Sequence, residues 1–188
     1  MNLVIFGPPG AGKGTQSSFI KKKFKLYQLS TGELLREEIK NKTKLGTKIS
    51  SIINSGELVS DLIVSKLIEK FISKKEYKNR IIFDGYPRNL AQAENLENLL
   101  KKDNQKIDIV LKLSVSLETI KQRILERKNL EKRSDDSEEI AVKRYDTYEK
   151  NSKPVIDFYE QSGLLRVING ERSISEINSE ISALIEVI

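Results

Sequence analysis

The chain has 188 residues, 33 Lys and Arg against 27 Asp and Glu, a net charge of +6, and neither cysteine nor histidine. That length suits one compact α/β domain with small insertions, and the missing residue types exclude disulfides, thiolate or imidazole metal sites and histidine catalysis. No apolar stretch approaches membrane-spanning length, and no basic N-terminal region leads into a cleavable apolar segment, so a cytoplasmic protein with no membrane partner is expected.

Leu3–Phe6 is an apolar run of β-branched and aromatic residues and predicts a buried strand. Gly7-Pro8-Pro9-Gly10-Ala11-Gly12 stops it with turn formers. Lys13-Gly14-Thr15-Gln16 then opens a helical pattern that continues to Phe24. Strand, glycine loop and helix start in this order form a phosphate-binding loop. Its backbone N–H groups can wrap a phosphate, the helix presents its positive end, and Lys13 adds a point charge. The generic pattern G-x-x-x-x-G-K-[ST] holds from Gly7 to Lys13 and fails at Gly14. Thr15 comes one residue late, about 100° further round the helix, which counts against direct Mg²⁺ ligation by its hydroxyl. The plainer alternative is a chance glycine-rich turn, but the strand before and the helix after meet the context that the motif demands.

Residues 27–29 predict a short strand, and Ser30 with Glu33 has capping-box spacing. Leu34, Leu35 and Ile39 line that helix; Ile49, Ile52 and Ile53 line a second, which ends at Gly56. The two lie between strands and read as a small helical insertion. A longer helix carries Leu62, Ile63, Leu67, Ile68, Phe71 and Ile72 on one face. Residues 80–84 are a buried strand ending in Asp84, and 85–88 a loop. Residues 89–102 form a helix with Leu90, Ala93, Leu96 and Leu100 inward, and 107–113 the next strand. Leu117, Ile120, Ile124 and Leu125 mark a helix ending near Arg127. Residues 129–134 are expected to be a loop, with Asp135 or Asp136 capping the helix that follows. Pro154 predicts a kink or break in that helix, and Gly163 its end. Residues 164–168 are the last strand, and Ser173 with Glu176 caps the last helix. Alternating strands and helices imply an α/β fold: a parallel five-stranded sheet with helices on both faces. Ligands then bind beyond the carboxyl ends of the strands. The glycine loop, Asp84 and Arg88 all fall at that edge.

Asp84 ends an apolar strand, as the second acidic element of a nucleoside triphosphatase does, and is a candidate to hold Mg²⁺ or its waters. Capping of the Gly85 turn is the plainer alternative. Arg123 and Arg127 share a helix face, and Arg133 and Arg144 flank Asp135 and Asp136. Taken singly, each would be read as part of a surface ion pair. Beside a phosphate loop, several arginines converging on phosphates is the better reading, because phosphoryl transfer needs charge stabilisation on all sides of the moving group. No general base stands out, which fits an acceptor that is itself an anionic phosphate. The net positive charge suits nucleotides. Only 6% of residues are aromatic, and no basic-aromatic interleaving points to stacked bases, so no nucleic-acid partner is expected.

Six stretches in order resemble the nucleoside monophosphate kinases, and among them the adenylate kinase family: GPPGAGKGTQ (7–16), LSTGELLR (29–36), GELVSD (56–61), FDGYPRNLAQA (83–93), RSDDSEE (133–139) and KRYDTYEKNSKPVIDFY (143–159). GKGT in place of GK[ST] is usual in that family. The resemblance implies ATP + AMP ⇌ 2 ADP with Mg²⁺ on a P-loop nucleoside triphosphate hydrolase-like fold, by a monomer. By position, Gly10, Ala11, Gly12, Lys13, Gly14 and Thr15 would hold the ATP phosphates. Thr31, Arg36, Glu57, Leu58, Val59, Gly85, Tyr86, Pro87, Arg88 and Gln92 would hold AMP. Gln92 would read the adenine edge, and Arg36 and Arg88 would grip the AMP phosphate. Arg127 would lie against the ATP adenine, with the turn 169–172, including Arg172, contacting that base. Arg123, Arg133 and Arg144 would surround the transferring group, with Arg133 and Arg144 also reaching AMP. Residues 30–59 would be the AMP-binding insertion of one domain spanning 1–188. Residues 127–135 would be a short lid, and a zinc-bound lid is excluded for want of Cys and His. The rivals are a UMP/CMP kinase, in which Ala and Asn tend to replace Thr31 and Gln92, and a catalytically idle nucleotide-binding protein.

Overall fold

Five short strands, β1 (Leu3–Phe6), β2 (Tyr27–Ser30), β3 (Ile81–Asp84), β4 (Ile109–Ser114) and β5 (Leu165–Asn169), form one sheet in a computed structural model that describes residues 1–131 and 137–188. All pairings are parallel, in the order β2-β3-β1-β4-β5. Leu3 stands in register with Ile82 on one side and Ile109 on the other. The side-chain period of two then separates two cores. Leu3, Ile5, Ile82 and Leu111 meet Ile20 of α1 (Lys13–Phe24) and Ile177 and Ile181 of α8 (Ile174–Glu186). Val4, Ile81, Phe83 and Val110 meet the other face's helices: α4 (Asp61–Ile72), α5 (Leu90–Lys102) and α7 (Glu138–Gln161). The sheet is therefore covered on both faces, as its apolar strands require.

Between β2 and α4 lie α2 (Thr31–Lys40) and α3 (Lys44–Asn54), and α6 (Leu117–Glu131) follows β4. Caps set most helix starts. Ser30 accepts from the Glu33 N–H at the start of α2, and Asn89 from the Gln92 N–H at the start of α5. Ser173 and Glu176 form the full reciprocal box, whereas among the described residues only the Ser30 half of the first box forms.

Several boundaries differ from expectation. Leu62 is 67% exposed, because the buried stripe of α4 is Val64, Ile68 and Ile72 at four-residue spacing. Leu90 and Leu125 also face outward; Ala93 and Ile124 take the inward places. Helix α6 continues to Glu131, since residues 128–131 contain neither Gly nor Pro to stop it. Ser137, not Asp135 or Asp136, is the N-cap of α7; its side chain accepts from the Ile140 N–H at 3.2 Å. Helix α7 runs unbroken through Pro154, with Ser152, Val155 and Tyr159 all buried around the missing hydrogen bond. Arg133, both aspartates and residues 132–134 of the expected loop lie outside the described residues.

Candidate active site

The phosphate loop closes on itself between β1 and α1. The Ala11 N–H donates to the Pro8 carbonyl at 3.1 Å. Gly12 is the N-cap of α1 at φ 93°, a left-handed conformation that a side chain would strain. It offers no capping side chain, and the first turn of α1 holds no acid, so the helix's positive end is left for an anion. Lys13 Nζ donates to the carbonyls of Gly7 and Pro8 at 2.7 and 2.9 Å. Burial lowers its pKa to about 8; Asp84 opposes that, while Arg88, Arg144 and Arg127 reinforce it. Those arginines come from three separate elements and share one field with Lys13.

Asp84 is buried at the end of β3, and its Oδ2 accepts from Gln28 Nε2 at 2.9 Å. Thr31 Oγ1 and Arg88 Nε both donate to the Gly85 carbonyl, at 2.9 and 2.7 Å. Gln92, also buried, accepts from the Arg88 N–H at 2.8 Å and donates to Asp61 Oδ1 at 2.6 Å. Lys143 of α7 reaches Glu57 across the surface at 3.2 Å.

At the other end, the 169–172 turn is anchored to the start of α6. The Ser116 N–H donates to Glu171 at 2.9 Å, and hydrogen bonds from Ser116 hold that carboxyl below the ordinary range. Arg123 Nη2 donates to the Gly170 carbonyl at 2.9 Å. Arg172 pairs with Glu180.

One cleft of about 850 Å³ runs between these groups, over the carboxyl ends of β1, β2, β3 and β5. The expected residues line it from Gly10 through Arg172, with two exceptions. Tyr86 is 1% exposed, and its hydroxyl donates to the Gln92 carbonyl within the core; Arg133 lies outside the described residues. Of the two α6 arginines, Arg123 is the one tied to the 169–172 turn, and Arg127 the one whose charge acts on Lys13.

Several cleft residues escaped the sequence reading. Thr147, Tyr148 and Ser152 line the wall with Arg144, and their spacing of three, four and eight from it was the available signal. Behind the lining, Gln28 and Asp61 act across long sequence separations that no local pattern reveals. Among the described residues no group of three or more acidic side chains could hold a metal ion by itself, and no helix is long and apolar enough to cross a membrane.

Comparison with known proteins gives one answer. A family model described as adenylate kinase matches residues 5–164. The chain is 42% identical to an adenylate kinase of Pelagibacter ubique, aligned over the whole of both chains. It is 40% identical to one of Bifidobacterium longum, over 99% of this chain and all of the relative. It is 45% identical to one of Prochlorococcus marinus, over 95% of each.

Proposed function

The chain belongs to the adenylate kinase family and is an enzyme that passes the terminal phosphoryl group of ATP to AMP; from that premise we propose how its residues divide the work. The observation that carries the assignment is the field of Lys13, Arg88, Arg127 and Arg144 around the phosphate loop. An oxygen of the AMP phosphate attacks the terminal phosphorus of ATP, and the bond to the bridging oxygen of the leaving ADP breaks. The attacking group is already an anion, so no side chain need take a proton. What the protein supplies is position and positive charge on every side of the moving group. Lys13 leaves its two carbonyl partners for the ATP phosphates, with Gly10, Ala11, Gly12, Gly14 and Thr15 donating around them. Arg88 and Arg36 hold the AMP phosphate, Arg127 and Arg144 close over the transferring group, and Arg133 joins them by sequence position. Arg123, Arg172 and the turn backbone hold the ATP base. On the acceptor side, Thr31, Gly85, Pro87 and residues 57–59 receive AMP, and Gln92 reads its base.

The donor set fits Mg²⁺ held largely by phosphates and water: Asp84 is a lone carboxylate at the loop with one oxygen already engaged by Gln28. When bound there, the ion would neutralise charge on the phosphate oxygens. We further infer a cytoplasmic monomer of one domain, with residues 30–59 as the AMP-binding insertion, residues 127–135 as a short lid, and no nucleic-acid or membrane partner.

The test is Arg88→Ala in a coupled assay of ADP formation. The turnover number kcat should fall about 10²–10³-fold, the usual cost of losing one positioned donor. The melting temperature should stay within a few degrees, since the side chain lines the cleft. A near-normal kcat would remove Arg88 from the mechanism.

A further inference from the structure

A glutamine amide has two N–H donors and two acceptor lone pairs. In this structure one of each is already used by the protein. Gln92 Oε1 accepts from the Arg88 backbone N–H, and Gln92 Nε2 donates to Asp61 Oδ1. Neither partner is ambiguous: a backbone N–H only donates, and a carboxylate only accepts. The amide orientation is therefore dictated by its neighbours. A half-turn about its last torsion would set N–H against N–H and oxygen against carboxylate. Asp61 is itself fixed, because Asn89 Nδ2 donates to both of its oxygens at 3.1 and 3.0 Å, while Asn89 Oδ1 caps the same helix by accepting from the Gln92 N–H. Among the described residues, Gln92 lines the cleft and Asp61 does not. Asp61 stands behind the reading group, at the first turn of the neighbouring helix.

The one N–H and one lone pair that remain match the edge of adenine, whose N1 accepts and whose 6-amino group donates. Hypoxanthine has the same shape and the opposite pattern, with N1–H donating and O6 accepting. A freely turning glutamine would read either base equally well by flipping. We propose that Asp61 is a positioning residue that sets acceptor specificity: its carboxylate locks the Gln92 amide in the orientation that pairs with a 6-aminopurine monophosphate and rejects a 6-oxopurine. This deepens the assignment of Gln92 to the AMP base and rests on it. The Arg88 N–H supplies the second half of the lock, so removal of Asp61 weakens selectivity without abolishing it.

The experiment compares AMP with IMP, by equilibrium binding and by kcat/KM with saturating ATP, in the wild type, Asp61→Asn and Gln92→Ala. Asparagine keeps the size of Asp61 but can turn to offer an N–H to a flipped Gln92. Asp61→Asn should narrow the AMP:IMP ratio about tenfold, the usual consequence of one mispaired polar contact. The KM for ATP should not change. An unchanged ratio, or equal losses for AMP and IMP, would overturn the role of Asp61. Gln92→Ala separates the underlying reading. If it leaves the ratio intact, or if the wild type does not prefer AMP, Gln92 does not read the base and both claims fail. If it collapses the ratio while Asp61→Asn does not, only the claim for Asp61 fails. The unsubstituted protein provides a check that is independent of variant folding. In nuclear magnetic resonance of ¹⁵N-labelled wild type, the Gln92 side-chain NH₂ should have the high order parameter of a fixed group and slowed exchange with solvent; an order parameter as low as that of an exposed glutamine would sink the lock.

Discussion

Lys13 has to hold a positive charge in a place that does not favour one. The ammonium rests on two loop carbonyls, and burial together with three arginines lowers its pKa to about 8, against 10.5 in an open chain. Below pH 8 both folded and unfolded chains carry this proton, and the folded state bears the full cost of keeping it. Between pH 8 and 10.5 the unfolded chain binds more protons, so stability rises with pH through this window. Above 10.5 the penalty is gone. Lys13→Met removes the titration altogether, and all other lysines cancel in the comparison. Between pH 7.5 and 9.5 the stability difference should therefore move about 1–2 kcal/mol in favour of the wild type, less than the full shift because the side chain keeps some contact with water. Urea unfolding of both proteins at the two pH values measures it, and a gap independent of pH would mean that Lys13 titrates as an ordinary lysine. The same tension suits the site, since an ATP phosphate offers the ammonium a better partner than carbonyl oxygens do.

Among the elements, the α2–α3 pair depends most on a single atom that is missing. A Cβ on Gly46 would lie 2.0 Å from the Glu38 carbonyl oxygen and 2.7 Å from the Ile39 nitrogen. Backbone cannot yield as a flexible side chain would. That contact lets the two helices cross closely enough to bury Leu35 and Ile49, with Thr43 capping α3 at the crossing. Gly46→Ala should cost about 1–3 kcal/mol through overpacking, more than the roughly 1 kcal/mol of helix propensity it gains. It should also raise the KM for AMP more than that for ATP. A denaturation midpoint equal to or above the wild type would refute the close crossing. Gly46 is a position where periodicity is silent, and it shows where sequence reading stops. The strands, the Ser173 box and the phosphate loop are local patterns and could be read directly. Patterns cannot say which of two adjacent apolar residues faces inward, as Leu125 and Ile124 show. Nor can they separate two arginines four apart on one face: Arg123 donates to the Gly170 carbonyl, while the charge of Arg127 acts on Lys13. Contacts across the chain, Gln28 with Asp84 and Asp61 with Gln92, left no local trace at all.

At the scale of the whole molecule the question is how water is kept from the transferring phosphoryl group. The cleft lies along the carboxyl edge of a sheet whose two faces are held by separate apolar cores. That sheet, with α1 and α8 against it, is the part least able to move. Residues 30–59 form the opposite wall and leave the sheet only at Ser30 and again before α4. The Glu57–Lys143 pair that joins this wall to α7 is exposed, and such pairs contribute about 0–1 kcal/mol. An enzyme that must exclude hydrolysis gains from a swing of this wall that completes the site only when both nucleotides are present. A bisubstrate mimic, two adenosines joined through a chain of phosphates, spans both halves and should hold the closed form. Hydrogen exchange with and without it should show added protection across residues 30–59 and at 127–131 at the end of α6. The amides of β1, β4 and α8, already secured in the core, should change little. AMP alone should protect the first segment more than the second. If saturating mimic leaves exchange in residues 30–59 unaltered, the wall does not close, and exclusion of water must come from the bound nucleotides themselves.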